Sequence, residues 1–211
     1  MGWNGTVPDY WNHNVYYHPL ILDAVPDKCG SALDVGCGDG MLACRLAARC
    51  RDVMGIDRDS IMIRLARERG QDIPNVAFIG ADFLTYPFDE ASFDFVACNT
   101  ALHHMDFEDA IEAMTRLLRP GGHLAIVGLA RNARLGDWLD GVAALPLNLA
   151  LEAAHGLLRV AGREAPGPGQ PISDPSMSWE EVRLSAFRLL PRARYRKHLL
   201  FRYSLIWRKP S

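Results

Sequence analysis

The sequence predicts a doubly wound α/β domain of seven mostly parallel strands, closed by a C-terminal antiparallel hairpin. Three observations predict it. Short apolar runs, each ending in Gly, Asp or Asn, alternate with helical patterns over about 100 residues, as strands and crossover helices do in a parallel sheet. A glycine-rich loop follows the first run, and acidic residues close the second and third. The chain then ends in two runs of period two, the mark of a hairpin.

The expected parallel strands are Ala32–Cys37, Val53–Asp57, Val76–Asp82, Phe93–Asn99 and His123–Leu129. Their uninterrupted apolar character suits strands covered on both faces. Between them, Met41–Arg49 carries Leu42, Leu46 and Ala47 on one helical face, and Ser60–Arg69 opens on Ser60 as its cap and repeats Ile61 and Leu65. Phe107–Leu118, capped by Asp106, repeats Ala110, Ile111, Met114 and Leu117 until Arg119-Pro120-Gly121-Gly122 stops it.

Two regions fall outside the alternation. One is an N-terminal cap, residues 1–28, whose stretch Tyr10–Ala24 is dense in Trp, Tyr, His and Asn. The other is an insertion, residues 130–177. Its first part, Leu135–Val160, has an amphipathic helical pattern, and Gly162–Pro175, with four Pro and three Gly, reads as a loop. A capping box, Ser178-Trp-Glu-Glu, opens a last helix before the strands Ala193–Leu200 and Phe201–Lys209. Residues 1–211 are expected to form one domain.

Composition narrows the class. With 49% hydrophobic and 23% charged residues, global disorder is excluded. No run of about 18 apolar residues predicts a membrane span, and Met1–Asn14 lacks the pattern of a signal peptide. Met1-Gly2…Thr6 matches the loose myristoylation pattern, which needs a eukaryotic host. Five cysteines without a C-x-x-C pair offer no zinc spacing and no disulfide framework. The expectation is a cytoplasmic protein with reduced thiols and no metal.

Charge is unevenly distributed. Seven of the 23 basic residues and none of the 25 acids lie from Arg192 onward. In that tail, Arg alternates with Ala and Tyr, and Arg202 and Arg208 flank Tyr203, Leu205 and Trp207. The alternation reads as a solvated hairpin face at a sheet edge, where basic side chains also discourage edge pairing, in preference to a nucleic-acid arm.

The chemistry concentrates after the first strand. In Leu33-Asp34-Val35-Gly36-Cys37-Gly38-Asp39-Gly40, three glycines let the backbone turn sharply and approach a ligand. Asp57, 19 residues beyond Gly38, ends the second strand, where a carboxylate can accept two ribose hydroxyls. A nicotinamide enzyme uses the same logic. The spacing, however, is G-x-G-x-G instead of G-x-G-x-x-G, and Asp34 would repel a diphosphate but suits a cationic amino group.

Asp34-x-Gly-x-Gly-x-Gly40, Gly55-Ile56-Asp57, Gly80-Ala81-Asp82 and Leu118-Arg119-Pro120-Gly121-Gly122 together resemble the ordered motifs of class I S-adenosylmethionine (SAM)-dependent methyltransferases, most closely the ubiquinone/menaquinone methyltransferase-like branch. The resemblance covers roughly residues 30–130 and implies a Rossmann-like fold, with SAM as cofactor and S-adenosylhomocysteine (SAH) as product. It also implies roles by position. Gly36, Gly38 and Gly40 would shape the loop under the methionine part, with Asp34 near its amino group. Asp57 would hold the ribose with Arg58 beside it, and Met62 would pack on adenine. Asp82 would accept from the adenine amino group, with Phe83 adjacent, and Asn99 and Thr100 would face the methionine end.

Two clusters are candidates for acceptor chemistry. His103 and His104, just after the fourth strand, stand where a base or an orienting donor would serve methyl transfer. In Tyr10-Trp11-Asn12-His13-Asn14-Val15-Tyr16-Tyr17-His18, the residues Tyr16, Tyr17 and His18 are candidate cofactor or substrate contacts, and His13 a second candidate base. In the insertion, Leu135, Trp138, Leu139, Val142, Leu145 and Leu149 suggest an apolar roof, or a dimer contact. The expected activity is therefore transfer of the SAM methyl group to O, N or C of a small, partly apolar molecule, with neither nucleic acid nor membrane as partner. The alternatives are an NAD-dependent oxidoreductase and a non-catalytic SAM-binding subunit. A nucleic-acid methyltransferase is disfavoured, because Asn99-Thr100-Ala101-Leu102 stands where Asn/Asp-Pro-Pro-aromatic would be expected.

Overall fold

In the computed structural model, residues 10–133, 149, 153–156, 167–168, 174–198 and 201–211 are described. Their strands are β1 (Cys29–Val35), β2 (Cys50–Asp57), β3 (Val76–Gly80), β4 (Phe93–Asn99), β5 (Leu118–Leu129), β6 (Arg194–Lys197) and β7 (Arg202–Arg208). They form one sheet in the order β3-β2-β1-β4-β5-β7-β6. The first five are parallel, while β7 runs antiparallel to both β5 and β6. The helices are α1 (His18–Leu22), α2 (Met41–Leu46), α3 (Ser60–Gly70), α4 (Phe107–Leu117) and α5 (Trp179–Leu189), with 3-10 turns at Val15–Tyr17 and Leu102–His104.

Alternation along each strand divides the core into two layers. Leu33, Val35, Val96, Leu124 and Leu205 pack with Ile111 and Met114 of α4 and with Val182 of α5. Ala32, Phe95, Ala97, Ala125 and Val127 face the other way, onto Ile21 of α1 and Leu42 and Leu46 of α2. Helices thus cover both faces, and the C-terminal strand ends stay open for a ligand.

Several boundaries differ from expectation for local reasons. Asp59, not Ser60, caps α3: its carboxylate accepts from the Ile61 and Met62 amides at 2.8 and 3.3 Å. After α4, Pro120-Gly121-Gly122 does stop the helix, yet β5 already begins at Leu118. Pairing jumps from Phe93–Leu118 to Phe95–His123, so the extra residues form a bulge that Gly121, at φ +78°, accommodates. Ser178 and Glu181 make the reciprocal capping box that opens α5.

The hairpin carries a larger correction. Of its two strands, only β6 lies at a sheet edge. Arg194, Arg196 and Lys197 are exposed on it, as a solvated basic face requires. β7 lies between β5 and β6, so both its edges are paired, Tyr203 and Leu205 pack in the core with Trp179 and Val182 of α5, and Ser204 is buried as well. Arg202, at its start, is largely desolvated and does not belong to the solvated face. In the insertion, Leu135, Trp138, Leu139, Val142 and Leu145 lie outside the described residues, whereas Leu149 is described and exposed. Among the described residues no helix is long and apolar enough to cross a membrane.

Candidate functional site

The β1–β2 register sets Val35 beside Ile56, so the glycine loop and Asp57 emerge side by side. The Gly36 and Cys37 amides both donate to the Ile56 carbonyl, at 2.8 and 3.1 Å. Gly36, Gly38 and Gly40 have φ of +68°, +53° and +78°, a left-handed path that side chains with a Cβ resist. At Gly36 the restriction is double, because a Cβ there would overlap that of Ala101. Asp57 fastens the loop: one carboxylate oxygen accepts from the Gly38 amide at 2.9 Å and the other from the Asp59 amide at 2.9 Å.

Above these strand ends lies a cavity of about 780 Å³. From β1, β2 and the end of β3 it is lined by Gly36, Gly38, Asp57, Arg58, Met62, Asp82 and Phe83. From β4, β5 and β7 it is lined by Asn99, Thr100, His103, His104, Leu129 and Arg202. Gly36 and Arg202, 166 positions apart, meet here because the sheet order brings the carboxyl ends of β3, β2, β1, β4 and β5 to one edge. Antiparallel β7 delivers its first residue there too, with Arg202 paired to Leu129.

A side chamber of about 40 Å³ adjoins the cavity, sharing Asn14, Gly36, Gly38, Asn99 and Thr100 with it. Asp34 lines this chamber at 1% exposure, and neither carboxylate oxygen has a well-formed hydrogen bond among the described residues. Burial, then the nearby Asp57 carboxylate, push its pKa up to about 8, a rise only partly offset by the Ala43 amide. A buried, unsatisfied carboxyl is costly to keep without a purpose, and a cationic group entering the chamber would satisfy it. Asp39, in the glycine loop itself, is engaged by Arg69 at 2.6 Å and by the Tyr10 hydroxyl at 3.2 Å.

The turn after β4 supplies the second set of groups. Thr100 sits at φ +55°, unusual for a β-branched residue, and its amide donates to the Val127 carbonyl at 2.6 Å. The Asn99 side-chain amide donates to the Asn14 carbonyl at 3.2 Å, while its Oδ1 is buried and has no partner among the described residues. His103 and His104 lie ring to ring, 4.1 Å apart. Burial lowers the His103 pKa to about 4 and, with Arg58 nearby, lowers that of His104 too. Buried His103 Nδ1 has no partner among the described residues, so a neutral ring is available to take a proton or orient a hydroxyl.

The aromatic N-terminal cluster is distributed differently. His18 reaches the side chamber, with Nδ1 3.1 Å from an Arg45 nitrogen, and burial lowers its pKa to about 3. Tyr17 is buried in the α1–α2 layer, Tyr16 is 45% exposed, and His13 packs edge-on against Trp11. None of these three is among the residues lining the cavity or the chamber. Trp11 in turn stacks on His155 of the insertion at 4.1 Å.

Among the polar residues of the wall, sequence reasoning missed Asn14, Asp59, Asp106 and Arg202. Asn14 lines both spaces and joins two segments, its carbonyl accepting from Asn99 Nδ2 and its Oδ1 accepting from Arg202 Nη2 at 2.7 Å. Arg202 was grouped with the basic hairpin face. The available signal was its place as the first residue of a strand that must start level with the end of β5.

The methyltransferase domain model matches residues 33–126. An uncharacterized methyltransferase of Mycobacterium tuberculosis is 36% identical over 204 residues, covering 95% of this chain and 98% of that protein. The chain belongs to the methyltransferase family. A ubiquinone biosynthesis O-methyltransferase of Alkalilimnicola ehrlichii is 37% identical over 126 residues, 56% of this chain and 51% of that protein. Among solved structures, the N-methyltransferase NodS of Bradyrhizobium japonicum in complex with SAH superposes with a TM-score of 0.62 at 19% identity, covering 95% of this methyltransferase and 89% of that chain. The similarity to NodS establishes the Rossmann-like fold that the glycine loop and acidic strand ends imply.

Proposed function

We propose that this methyltransferase moves the methyl group of SAM to an O, N or C atom of a small, partly apolar molecule. The observation that carries the reading is Asp34, a buried carboxyl with unsatisfied oxygens facing a small chamber off a cavity of about 780 Å³. Such a group suits a ligand with one cationic amino end and a bulkier remainder, as SAM has.

In this reading Asp34 holds the amino group, and Gly36 and Gly38 leave room for the methionine part. Asp57 accepts the ribose hydroxyls while still anchoring the loop, and Arg58 flanks it. Met62 packs on one adenine face, with Asp82 and Phe83 at the ring edge. Asn99 and Thr100 border the methionine end and His18 closes the chamber behind it. Bound there, SAM supplies a methyl carbon whose bond pair returns to sulfur on transfer. His103 or His104, both neutral near pH 7, removes a proton from an acceptor that carries one. Leu129, Met105 and Ala101 give the acceptor side an apolar lining.

The test is a methyl-transfer screen with labelled SAM against phenols, quinones, amines and carboxylic acids. Each hit is repeated with His103→Ala and His104→Ala. A base is identified by slower turnover at unchanged SAH affinity; loss of SAH binding instead assigns that histidine to the cofactor. SAH failing to bind the wild-type protein in calorimetry, while NADH binds, overturns the reading.

A further inference from the structure

The first pair in the β1–β2 register is Cys29 and Cys50, 21 positions apart in the chain. Register partners on neighbouring parallel strands stand about 4.8 Å apart and send their side chains to the same face. That separation falls within the range of about 4.4–6.8 Å between Cα atoms that a disulfide spans. Both cysteines are free thiols in the core layer under α1 and α2, and the Cys50 thiol donates a hydrogen bond to the Cys29 sulfur.

The backbone around each thiol is fixed by other groups. The Gly30 and Ser31 amides both donate to Asp94 Oδ2 at 2.9 Å, and Asn75 Nδ2 donates to the Cys50 carbonyl at 3.0 Å. Joining the sulfurs therefore takes side-chain rotation, with no slip of the strands. Among the described strands no other cysteine pairs with a cysteine. Cys98 is fully buried, which pushes its pKa up to about 12; Cys37 lies in the glycine loop, and Cys44 sits on α2. Cys29 and Cys50 open their strands at the sheet edge opposite the cavity and keep 7% and 5% exposure, where Cys98 has 0%. Their hydrogen bond also separates their roles. It lowers the pKa of Cys29, because a donor favours the thiolate, and it holds the proton on Cys50.

We propose that Cys29 and Cys50 form a reversible oxidation site, which hydrogen peroxide converts into a disulfide. The Cys29 thiolate attacks one peroxide oxygen: an S–O bond forms, the O–O bond breaks and hydroxide leaves, giving the sulfenic acid. Cys50 then attacks the Cys29 sulfur. The S–S bond forms, the S–O bond breaks, and the departing hydroxide takes the Cys50 proton and leaves as water. Two electrons pass from the two thiols to one peroxide, and a thiol reductant returns them. The link closes residues 29–50 into a ring that contains β1, the glycine loop and α2, so the segment carrying Asp34, Gly36 and Gly38 becomes one covalent unit. This chemistry is independent of which cofactor the cavity holds.

The experiment exposes reduced, full-length protein to a small molar excess of hydrogen peroxide. Free thiols are counted with dithionitrobenzoate after denaturation, and a non-reducing peptide map locates any linkage. The expected result is loss of two of the five thiols, a mass lower by about 2 Da and a Cys29–Cys50 linked peptide, all reversed by dithiothreitol. The pair should be consumed about tenfold or more faster than Cys44. The linked protein should melt several degrees above the reduced one, because the ring closes without moving the strands. In Cys50→Ser, dimedone should trap the Cys29 sulfenic acid; in Cys29→Ser, Cys50 should stay unlabelled. Thermal melts establish that both variants fold, and the wild-type peptide map depends on neither. Retention of all five thiols, oxidation confined to Cys44 or to links between molecules, dimedone labelling of Cys50 alone, or a linked protein that melts below the reduced one overturns the proposal.

Discussion

The guanidinium of Arg69 on α3 meets the carboxylate of Asp39 in the glycine loop at 2.6 Å, with the side chains only 1% and 5% exposed. Arg69 Nε also donates to the Asp39 carbonyl at 3.1 Å, and the Tyr10 ring lies 5.8 Å from the guanidinium carbon. The loop under the candidate cofactor is therefore tied to a helix behind it and to the N-terminal cap in front. Removing one partner of such a pair leaves a buried charge without its counter-charge. Arg69→Leu is expected to destabilise the fold by about 3–5 kcal/mol. Urea denaturation measures this, and a loss under about 1 kcal/mol would show that solvent reaches Asp39.

Asp57 serves the loop and, in the proposed reading, the ribose. Asp57→Ala should weaken SAH binding by at least about tenfold, close to 1.4 kcal/mol. Calorimetric titration at fixed pH reads this directly. An unchanged dissociation constant would leave Asp57 as a loop anchor alone.

For Asp34, stability and binding should move in opposite directions. Its folded pKa, about 8, lies above that of an unfolded carboxyl. Between roughly pH 4 and 8 the unfolded chain is therefore ionised at this site while the folded one holds a proton. Stability is lost as pH rises through that window, by up to about 1.4 kcal/mol per unit. Asp34→Asn cannot ionise, so its stability advantage over wild type should widen from pH 5 to pH 8 and then level off. Its SAH affinity should fall. Because the ligand's ammonium favours the ionised carboxyl, wild-type binding at pH 7 should release a proton, visible as a binding enthalpy that changes between phosphate and Tris. A buffer-independent enthalpy would count against Asp34 as the amino-group partner.

His18 has the opposite sign. Its pKa, lowered to about 3 by burial and then by Arg45, lies below the unfolded value of about 6.5. Its contribution is intact above pH 6.5 and is lost as pH falls, because only the unfolded chain takes up the proton. Asp34 works against this slope over part of the same range, so the comparison with His18→Gln is the informative one. Wild-type stability relative to that variant should drop as pH falls from 6.5 toward 4 and stay flat above 7. Parallel pH curves for the two proteins would rule out a buried neutral imidazole.

Much of the fold was legible because its signals are local. Phe93–Asn99 reads as a strand from its composition, Asp106 and the Ser178/Glu181 pair announce their helices, and the Gly36-x-Gly38-x-Gly40 loop declares a close backbone approach. The cavity wall from β1 to β4 was legible for the same reason, since its residues sit at strand ends that an apolar run marks. Tyr16, Tyr17 and His18 show the limit. Three neighbours of similar amphipathic character end up exposed, in the core and beside the chamber, because a short 3-10 turn followed by a helix points successive side chains in different directions.

By itself, then, the sequence determined a doubly wound methyltransferase sheet, the glycine loop and the acids at the ends of β2 and β3. Only the tertiary structure decided which of the seven C-terminal basic residues turns inward. Period two distinguishes the faces of a strand but not whether that strand is an edge. The insertion of β7 between β5 and β6 paired both of its edges, set Arg202 beside Leu129 at the end of β5, and so carried it to the cavity beside Asn14, 188 residues away in the chain.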